Sequence, residues 1–360
     1  MRTYLDHNAT SPLRPEVKAA MTAAMDVHGN ASSVHSEGRK AHKLIDDARE
    51  ALAFNLGCLP QMITFTSGGT EANNMALHGV DVERILISAI EHDSVRAAAI
   101  ATGKTVETIP VDKFGRVELT ALEKMLGGPK ALVSVMMANN ETGVVQNVNE
   151  VVQLTAKASG LSHIDAVQGF GKRPVNFGLI GCDLMTVAAH KVGGPTGIGA
   201  LIIRDGLVVA PLLVGGGQEL RRRAGTENLI AISGFASVAS SARIDTYELN
   251  NTLEAALEDT VIFSEGVERL CNTTCFAMQG MRAETALMNF DLEGIALSSG
   301  SACSSGKVGR SHVLEAFGVA PEISANAIRV SLGWNTTADD IHHFIAVWRK
   351  LNQRSKAKAA

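Results

Sequence analysis

The chain has 360 residues, of which 46% are hydrophobic and 19% charged. These values exclude a small disulfide-stapled scaffold and a disordered chain, and they predict two or three globular domains. The formal net charge is −4, so no broad basic surface for nucleic acid is expected. The sequence has no run suited to a membrane span and no signal-peptide pattern, so we expect no membrane partner and a cytoplasmic location.

Short β-prone runs alternate with helix-length segments from about residue 60 to 205. This βαβ rhythm is typical of a largely parallel sheet. Helical periodicity is expected at Leu119–Leu126 and Asn149–Ser159. The predicted strands are Met62–Thr66, Arg84–Ala89, Thr105–Ile109, Ala131–Met137, Leu161–Asp165, Leu184–Ala188 and Gly199–Arg204.

The pattern changes after Asn228. The sequence predicts helices over Leu229–Ala242, Thr246–Asp259 and Thr337–Leu351, strands near Ala286–Phe290 and Ala327–Leu332, and a solvated tail from Ser355 to Ala360. We therefore predict three units: an N-terminal segment (1–15) that packs with the small domain, a large domain (16–245), and a small α+β domain (246–360).

The five cysteines are widely spread, and their number is odd. Without a secretion signal, a disulfide framework is not expected. Cys271 and Cys275 have no matching Cys/His pair elsewhere, so no intrinsic metal site is predicted.

A glycine pair follows the first predicted strand in Thr66-Ser-Gly-Gly-Thr70, where a helix is expected to begin at Thr70. Free N–H groups at a helix start, with hydroxyls beside them, form a cradle for an anion such as phosphate. Taken alone, the segment is equally consistent with a capped helix after a tight turn.

Two further polar residues stand at predicted strand ends. Lys191 follows Leu184–Ala188 and faces a glycine-rich turn, where partial desolvation lowers the pKa of an ammonium and prepares it to form an imine. Asp165 ends an apolar strand, where the protonated nitrogen of a pyridine cofactor would supply the cation that a buried carboxylate needs. The alternatives are a surface lysine and an aspartate that caps the next turn. Together with the cradle, the two residues match the requirements of pyridoxal 5'-phosphate.

Motifs from the first residues to the last helix resemble the NifS/IscS-type (group I) cysteine desulfurases, a branch of the class V aminotransferase family. The motifs that carry this resemblance are Tyr4–Thr10, Gly29–His35, Thr64–Asn73, Glu91–His92, Asn139–Gly143, His163–Gln168, Ala189–Lys191, Arg223–Asn228 and Ser298–Cys303.

The resemblance implies an α/β homodimer of the aspartate-aminotransferase fold (fold type I). Each subunit would have a large domain with a mixed, mainly parallel sheet and a smaller α+β C-terminal domain. The implied activity is conversion of L-cysteine to L-alanine, with the sulfur passed to an enzyme cysteine as a persulfide. The implied partners are L-cysteine and a thiol acceptor, such as an iron-sulfur scaffold protein.

The resemblance also implies roles for individual residues. Lys191 would carry pyridoxal phosphate covalently, and Asp165 would pair with its ring nitrogen. His92 would stack on the ring and exchange protons near the leaving sulfur. The remaining implied cofactor ligands are Gln168 and Asn140 at the phenolic oxygen, Gly69, Thr70 and His190 at the phosphate, and Thr226 from the other subunit.

One cofactor-site position departs from the family pattern. Ala188 stands where the family usually has a serine two residues before the histidine of the lysine motif. One phosphate hydroxyl is therefore missing, which weakens cofactor retention but leaves the other donors. The segment Val261–Phe276 is also shorter than is usual in the family.

Cys303 lies in a run of small residues that is poorly suited to a core. A thiol on such a loop can visit a site and leave it carrying sulfur, and it could serve as a transient iron-sulfur ligand. The alternative is a linker with an incidental cysteine.

Arg329 lies in an apolar strand, where its guanidinium needs an anionic partner. That partner is either a structural acid or a substrate carboxylate, and family position favours the substrate, with help from Asn30.

Two competing functions remain. A related pyridoxal enzyme, such as a selenocysteine lyase or an aminotransferase, would use Lys191 without requiring Cys303. A catalytically idle assembly scaffold would form no alanine.

Overall fold

The computed structural model describes residues 2–241, 243–258, 260–299 and 310–359. Its strands are β1 (Thr3–Tyr4), β2 (Ile63–Thr66), β3 (Arg84–Ser88), β4 (Thr105–Ile109), β5 (Ala131–Met136), β6 (Leu161–Asp165), β7 (Leu184–Ala188), β8 (Gly199–Ile203), β9 (Val261–Ile262), β10 (Thr273–Ala277), β11 (Ile295–Ala296), β12 (Ser298–Ser299) and β13 (Ala327–Ser331).

The α-helices separate these strands along most of the chain. They are α1 (Pro15–Met25), α2 (Ser36–Leu56), α3 (Gly69–Gly79), α4 (Asp93–Ala101), α5 (Leu119–Met125), α6 (Val148–Lys157), α7 (Phe177–Ile180), α8 (Leu229–Ala239), α9 (Tyr247–Ala255), α10 (Ala283–Leu292), α11 (His312–Ala316), α12 (Pro321–Ser324) and α13 (Ala338–Ala359). Short 3-10 turns occur at Pro60–Met62 and Glu219–Arg221.

A seven-stranded sheet forms the centre of the large domain, in the order β2-β8-β7-β6-β5-β3-β4. Its neighbouring strands are parallel except for β8, which runs antiparallel to both β2 and β7. All seven strands predicted in this region are confirmed to within one or two residues, as is the α/β class with a mixed, mainly parallel sheet. Because parallel strands end on one side, β5, β6 and β7 bring their C-terminal residues to the same edge.

Helices cover both faces of this sheet. Alternate residues of each strand point to opposite faces, so Ile85 and Ile87 join one core cluster and Leu86 joins another. One face packs against α3 and α4, and the other packs against α2 and α8. The strands of the large sheet are thus packed between helices on both faces.

A second, four-stranded antiparallel sheet has the order β12-β13-β10-β9. Together with α9, α10 and α13 it encloses a separate apolar core. Strand β1 pairs in parallel with β11, and Leu5 enters the same core. The N-terminal segment therefore packs on this smaller unit, although the exact domain boundaries remain predictions.

Two sequence expectations for this unit are wrong. Residues 286–290 form part of helix α10, because Ala283, Ala286 and Phe290 recur at helical spacing and bury one face. The final helix continues to Ala359 instead of ending near Leu351, and Ser355 in the expected tail is buried, with its hydroxyl donating to the carbonyl of Gln279 at 2.7 Å.

Among the described residues, no helix has the length and apolar character needed to cross a bilayer.

Candidate active site

A cavity of about 200 Å³ opens at the C-terminal edge of the large sheet. It gathers side chains from five separate sequence motifs, and most of the predicted cofactor ligands line it. The lining residues are Gly69, Thr70, Asn73, His92, Ser94, Met136, Ala138, Asn140, Asp165, Val167, Gln168, Ala188, His190 and Lys191.

The predicted anion cradle lies at the start of α3, which begins at Gly69, one residue earlier than expected. The backbone is tightly packed here: a Cβ on Gly69 would lie 2.9 Å from Cγ2 of Val167, and one on Gly199 would lie 2.7 Å from the backbone carbon of Gly68. The eleven-residue helix directs its free N–H groups toward the cavity, and the exposed Thr70 adds a hydroxyl. These donors suit a phosphate.

Lys191 enters the cavity from the turn that follows β7. Its Nζ donates hydrogen bonds to the backbone carbonyls of Asn8 at 2.7 Å and Ala9 at 2.8 Å. The N-terminal segment therefore contacts the predicted cofactor lysine directly, a role that the sequence analysis did not assign to it.

His190 lies beside this lysine. Burial, followed by the nearby charges of Lys191 and Lys172, lowers the pKa of the His190 imidazole to about 4. The ring is thus neutral near pH 7, and His190 can serve a phosphate as a hydrogen-bond partner but not as a fixed charge.

Asp165 ends strand β6, as predicted. One carboxylate oxygen accepts from the backbone N–H of Val167 at 3.0 Å, and the other accepts from the Asn73 side-chain amide at 2.9 Å. The first bond shows that Asp165 does cap the following turn. The residue also lines the cavity, so the capping and cofactor interpretations are compatible.

His92 is the N-cap residue of α4 and lines the cavity as well. Its Nδ1 accepts from the backbone N–H of Ser94 at 3.1 Å and lies 2.9 Å from Oγ of Ser94. The same Oγ accepts from Asn73, which leaves the serine hydroxyl proton to donate to Nδ1. These donors place the imidazole proton on Nε2.

Glu91, next to His92, is a fully buried carboxyl. Its Oε1 accepts from the hydroxyl of Ser88 and from the backbone N–H of Met136. Burial, reinforced by the negative charge of Asp165, raises the pKa of Glu91 to about 8. The carboxyl is therefore protonated at neutral pH.

Gln168 and Asn140 lie at the side of the cavity nearest the N-terminal segment. The amide nitrogen of Gln168 donates to the carbonyl of Asn8 at 3.1 Å. The carbonyl of Asn140 accepts from Asn8 Nδ2 at 3.2 Å and from Nη1 of Arg329 at 3.0 Å. Asn140 therefore contacts Arg329, the residue predicted to bind the substrate carboxylate.

Arg329 is fully buried in β13. Its Nη2 forms an ion pair with Asp6 at 2.7 Å. The structural acid considered as an alternative in the sequence analysis is thus present, and a role for Arg329 in binding the substrate carboxylate stays a prediction.

Three predicted residues lie elsewhere. Asn30 and Thr226 are exposed and do not line the cavity of this subunit. Cys303 lies outside the described residues. Of the residues that flank it, Ser298 pairs with Arg329 in the small sheet, and Ser311 donates to Oε2 of Glu141 at 2.5 Å. Both described flanks of the Cys303 segment are therefore attached close to the site.

Five residues of this region were missed as site residues: Asp6, Asn8, Asn73, Glu91 and Lys172. All except Lys172 lie inside motifs noted for the family resemblance. Lys172 lies four residues after Gln168, a spacing that would have placed both on one face of a helical turn.

The residues present fit pyridoxal phosphate. The α3 cradle suits its phosphate, the Asp165 carboxylate suits a protonated ring nitrogen, and the amine of Lys191 reaches the same cavity. Among the described residues, no group of three or more His, Cys, Asp or Glu side chains could hold a metal ion.

Comparison with known proteins identifies the family of this chain. The Aminotransferase class-V family profile matches residues 3–344. The cysteine desulfurase IscS of Dictyoglomus turgidum is 37% identical, over 98% of this chain and 94% of that protein. An IscS-like cysteine desulfurase of Mycobacterium tuberculosis is 38% identical, over 94% of this chain and 93% of that protein.

Solved structures show the same relationship. A NifS-like protein from Rickettsia africae matches with a TM-score of 0.89 and 39% identity, covering 98% of this chain and 100% of that one. SspA in complex with cysteine matches with a TM-score of 0.83 and 28% identity, covering 92% and 98%. The chain therefore belongs to the class V aminotransferase family and, within it, to the pyridoxal-phosphate-dependent cysteine desulfurases.

Proposed function

We propose that this enzyme converts L-cysteine to L-alanine and transfers the sulfur to Cys303. The observation that carries the proposal is the meeting of Lys191, Asp165 and the α3 cradle in one cavity, in a chain whose relatives are cysteine desulfurases. One solved relative is described in complex with cysteine.

Pyridoxal phosphate, when bound, supplies an electron sink for the negative charge that develops at the substrate Cα. The Asp165 carboxylate, oriented by Asn73 and by the backbone N–H of Val167, favours a protonated ring nitrogen. Lys191 would hold the cofactor, and its amine would be placed to accept the substrate Cα proton. Asp165 thus acts on the charge of the ring nitrogen, and Lys191 acts on the proton at the substrate Cα.

Arg329 and Asn30 are assigned to the substrate carboxylate. The buried guanidinium of Arg329 is already oriented by Asp6 and by the carbonyl of Asn140, so it is preorganised to bind an anion. His92 presents Nε2–H, which is suited to donate a hydrogen bond near the leaving sulfur.

Cys303 completes the reaction as the sulfur acceptor. Its thiolate attacks the substrate sulfur, an S–S bond forms, and the substrate C–S bond breaks. The electron pair of that bond stays on the carbon fragment, which takes up protons and leaves as alanine. The persulfide requires no external oxidant, because the carbon fragment is reduced as the sulfur is transferred.

The proposed assembly is a homodimer in which Thr226 reaches the partner's phosphate site. Thr226 is exposed, and two ion pairs fix its loop to the large domain, Glu219 with Arg49 at 2.9 Å and Arg223 with Glu71 at 2.9 Å. The loop is thus attached to the large domain, and Thr226 faces outward. The proposed destination of the sulfur is an iron-sulfur scaffold protein or another thiol acceptor in the cytoplasm.

The test is a paired assay of alanine and protein-bound persulfide after adding L-cysteine to the pyridoxal-loaded enzyme. Wild type should form both products, and Cys303→Ser should form neither at an appreciable rate. Cys58→Ser is the matched control, because burial raises the pKa of the Cys58 thiol to about 11 and leaves it a poor nucleophile.

Each competing function predicts a different result. If Cys303→Ser still releases sulfide and alanine at the normal rate, the desulfurase mechanism is wrong and another class V activity remains. If loaded wild type forms no alanine, the chain is an idle scaffold. Borohydride trapping of pyridoxal phosphate on a residue other than Lys191 would refute the cofactor assignment itself.

A further inference from the structure

The turn that carries the predicted cofactor lysine is bound by the N-terminal segment. We call residues 190–193, which follow β7, the lysine turn. The backbone N–H of Ser11 donates to the carbonyl of His190 at 2.8 Å, and the backbone N–H of Arg14 donates to the carbonyl of Gly193 at 2.9 Å. Because the lysine amine also donates to two carbonyls of the N-terminal segment, that segment contacts both the backbone of the turn and the amine that it presents.

The side chain of Arg14 adds a further donor to these backbone contacts. Its Nε donates to the carbonyl of Val192, the residue after Lys191, at 2.9 Å. Arg14 is only 7% exposed, so this bond forms away from water, where a hydrogen bond from a charged donor is stronger than at the surface. Arg14 has no assigned role in the proposed reaction.

Arg14 is packed between the lysine turn and Trp334, which follows β13. Its guanidinium carbon lies 5.6 Å from the centroid of the Trp334 ring, and the indole N–H donates to the carbonyl of Pro12 at 2.9 Å. A Cβ on Gly193, whose φ is +91°, would lie 2.6 Å from Cγ of Arg14 and 2.9 Å from Nε1 of Trp334. The stem of Arg14 is thus in close contact with the backbone of the lysine turn.

The helix that follows Arg14 does not explain its buried side chain. Arg14 is the N-cap residue of α1, but its side chain makes no capping hydrogen bond to that helix. Its Nη1 lies 3.7 Å from Glu16, a carboxylate that is 51% exposed, and ion pairs of this kind contribute little. The buried contacts of Arg14 are therefore made with the lysine turn and with Trp334.

We propose that Arg14 is a positioning residue for Lys191: through the carbonyl of Val192 it fixes the lysine turn, so that the amine is held where the coenzyme binds. The inference rests on the proposed function, because it takes Lys191 as the residue that carries pyridoxal phosphate. A reactive group that is already ordered reacts faster than one that must first be ordered, because the entropy has been lost beforehand.

Two variants of similar size isolate the hydrogen bond to Val192. In Arg14→Gln the side-chain nitrogen follows Cδ, as Nε does in arginine, so it can still donate to the Val192 carbonyl. In Arg14→Met a methyl group stands at the same place in the side chain and cannot donate. Both variants lose the guanidinium and its contact with Trp334, so a difference between them reports the hydrogen bond.

The first measurement is amide hydrogen exchange in the full-length protein freed of coenzyme, read by mass spectrometry on the peptide that contains the lysine turn. The backbone N–H groups of Val192 and Gly194 donate to the carbonyl of Ala189 at 3.2 and 3.0 Å, so their exchange reports opening of the turn. Arg14→Met should exchange about tenfold faster here than Arg14→Gln. Equal exchange rates in the two folded variants overturn the proposal.

The second measurement is the rate at which pyridoxal phosphate attaches to Lys191, followed by borohydride trapping and peptide mass. Arg14→Met should attach the coenzyme about tenfold more slowly than Arg14→Gln. Faster exchange of the turn with an unchanged attachment rate would show that Arg14 is only structural and would refute the positioning role.

Arg84 provides the matched control. It is 8% exposed, its Nε also donates to a backbone carbonyl, that of Pro129 at 2.9 Å, and it does not line the cavity. Arg84→Met and Arg84→Gln should agree in the exchange of the lysine turn and in the attachment rate. A difference as large as that of the Arg14 pair would show that the effect is not specific to the turn and would overturn the proposal.

Wild type tests the proposal even if both Arg14 variants fail to fold. Exchange of Val192 and Gly194 as fast as in an unstructured peptide would show that the turn is not fixed, and it would overturn the proposal. Because exchange needs neither coenzyme nor turnover, the two failures are distinguishable. Trapping of coenzyme on a residue other than Lys191 refutes the proposed function, whereas equal exchange in the Arg14 pair refutes the positioning role alone.

Discussion

The buried Glu91 carboxyl predicts an unusual pH dependence of stability. Its pKa is raised from 4.5 to about 8 in the folded chain, whereas the unfolded chain releases the proton near the ordinary value. Between these limits the folded state holds one proton that the unfolded state does not, so the free energy of unfolding falls as pH rises. Below about pH 4.5 both states are protonated, and above about pH 8 both are ionised, so the loss is confined to this window.

The size of this loss of stability follows from the 1.36 kcal/mol by which one bound proton changes the free energy of unfolding per pH unit. Over about pH 5 to pH 8 the loss is about 4 kcal/mol, an upper bound for one group. Glu91→Gln removes the ionisation and keeps the oxygen that accepts from Ser88 and Met136. The free energy of unfolding of the variant minus that of wild type should therefore increase steadily across this window. A constant cost from burying the amide would shift this difference without changing its dependence on pH.

The assay is urea unfolding followed by circular dichroism at several pH values from about 5 to 8. Glu83→Gln is the control, because Glu83 is exposed and immediately precedes the strand that Glu91 follows. The difference between Glu83→Gln and wild type should not vary with pH. Parallel pH curves for wild type and Glu91→Gln would show that Glu91 is ionised in the folded protein and that this reasoning is wrong.

Three further substitutions test other parts of the structure. Arg221 is exposed, and its φ of +63° lies in the left-handed region, which is strained for a residue with a side chain. Arg221→Gly should therefore raise the free energy of unfolding by about 0.5 to 1 kcal/mol in urea denaturation, and a decrease would contradict this reasoning. Gly199→Ala should cost about 2 kcal/mol and weaken coenzyme binding in a spectral titration, because its Cβ would press on Gly68, whereas Gly217→Ala meets no atom within 4 Å and should change neither quantity. Asp165→Asn should lower retention of pyridoxal phosphate on gel filtration by about tenfold or more, and full retention would refute the pairing of Asp165 with the ring nitrogen.

Local sequence patterns predicted the large domain well. The seven strands and the positions of Lys191 and Asp165 at strand ends follow from runs that are short, apolar and separated by helical periodicity. The same reasoning failed at residues 286–290, where a few apolar residues fit either a strand or a helix, and only packing on one face distinguishes them. It also ended α13 too early, because the burial of Ser355 depends on a contact 76 residues away.

The sequence by itself determined the fold class, the family and most of the residues that line the cavity, because each is expressed in local spacing or in a contiguous motif. Only the tertiary structure decided how these residues are charged and held. The pairing of Arg329 with Asp6, the enclosure of Glu91 and the linkage of Lys172 to Lys191 through Asn8 join groups far apart in the chain. Protonation depends on distance and burial in space, which no local pattern records.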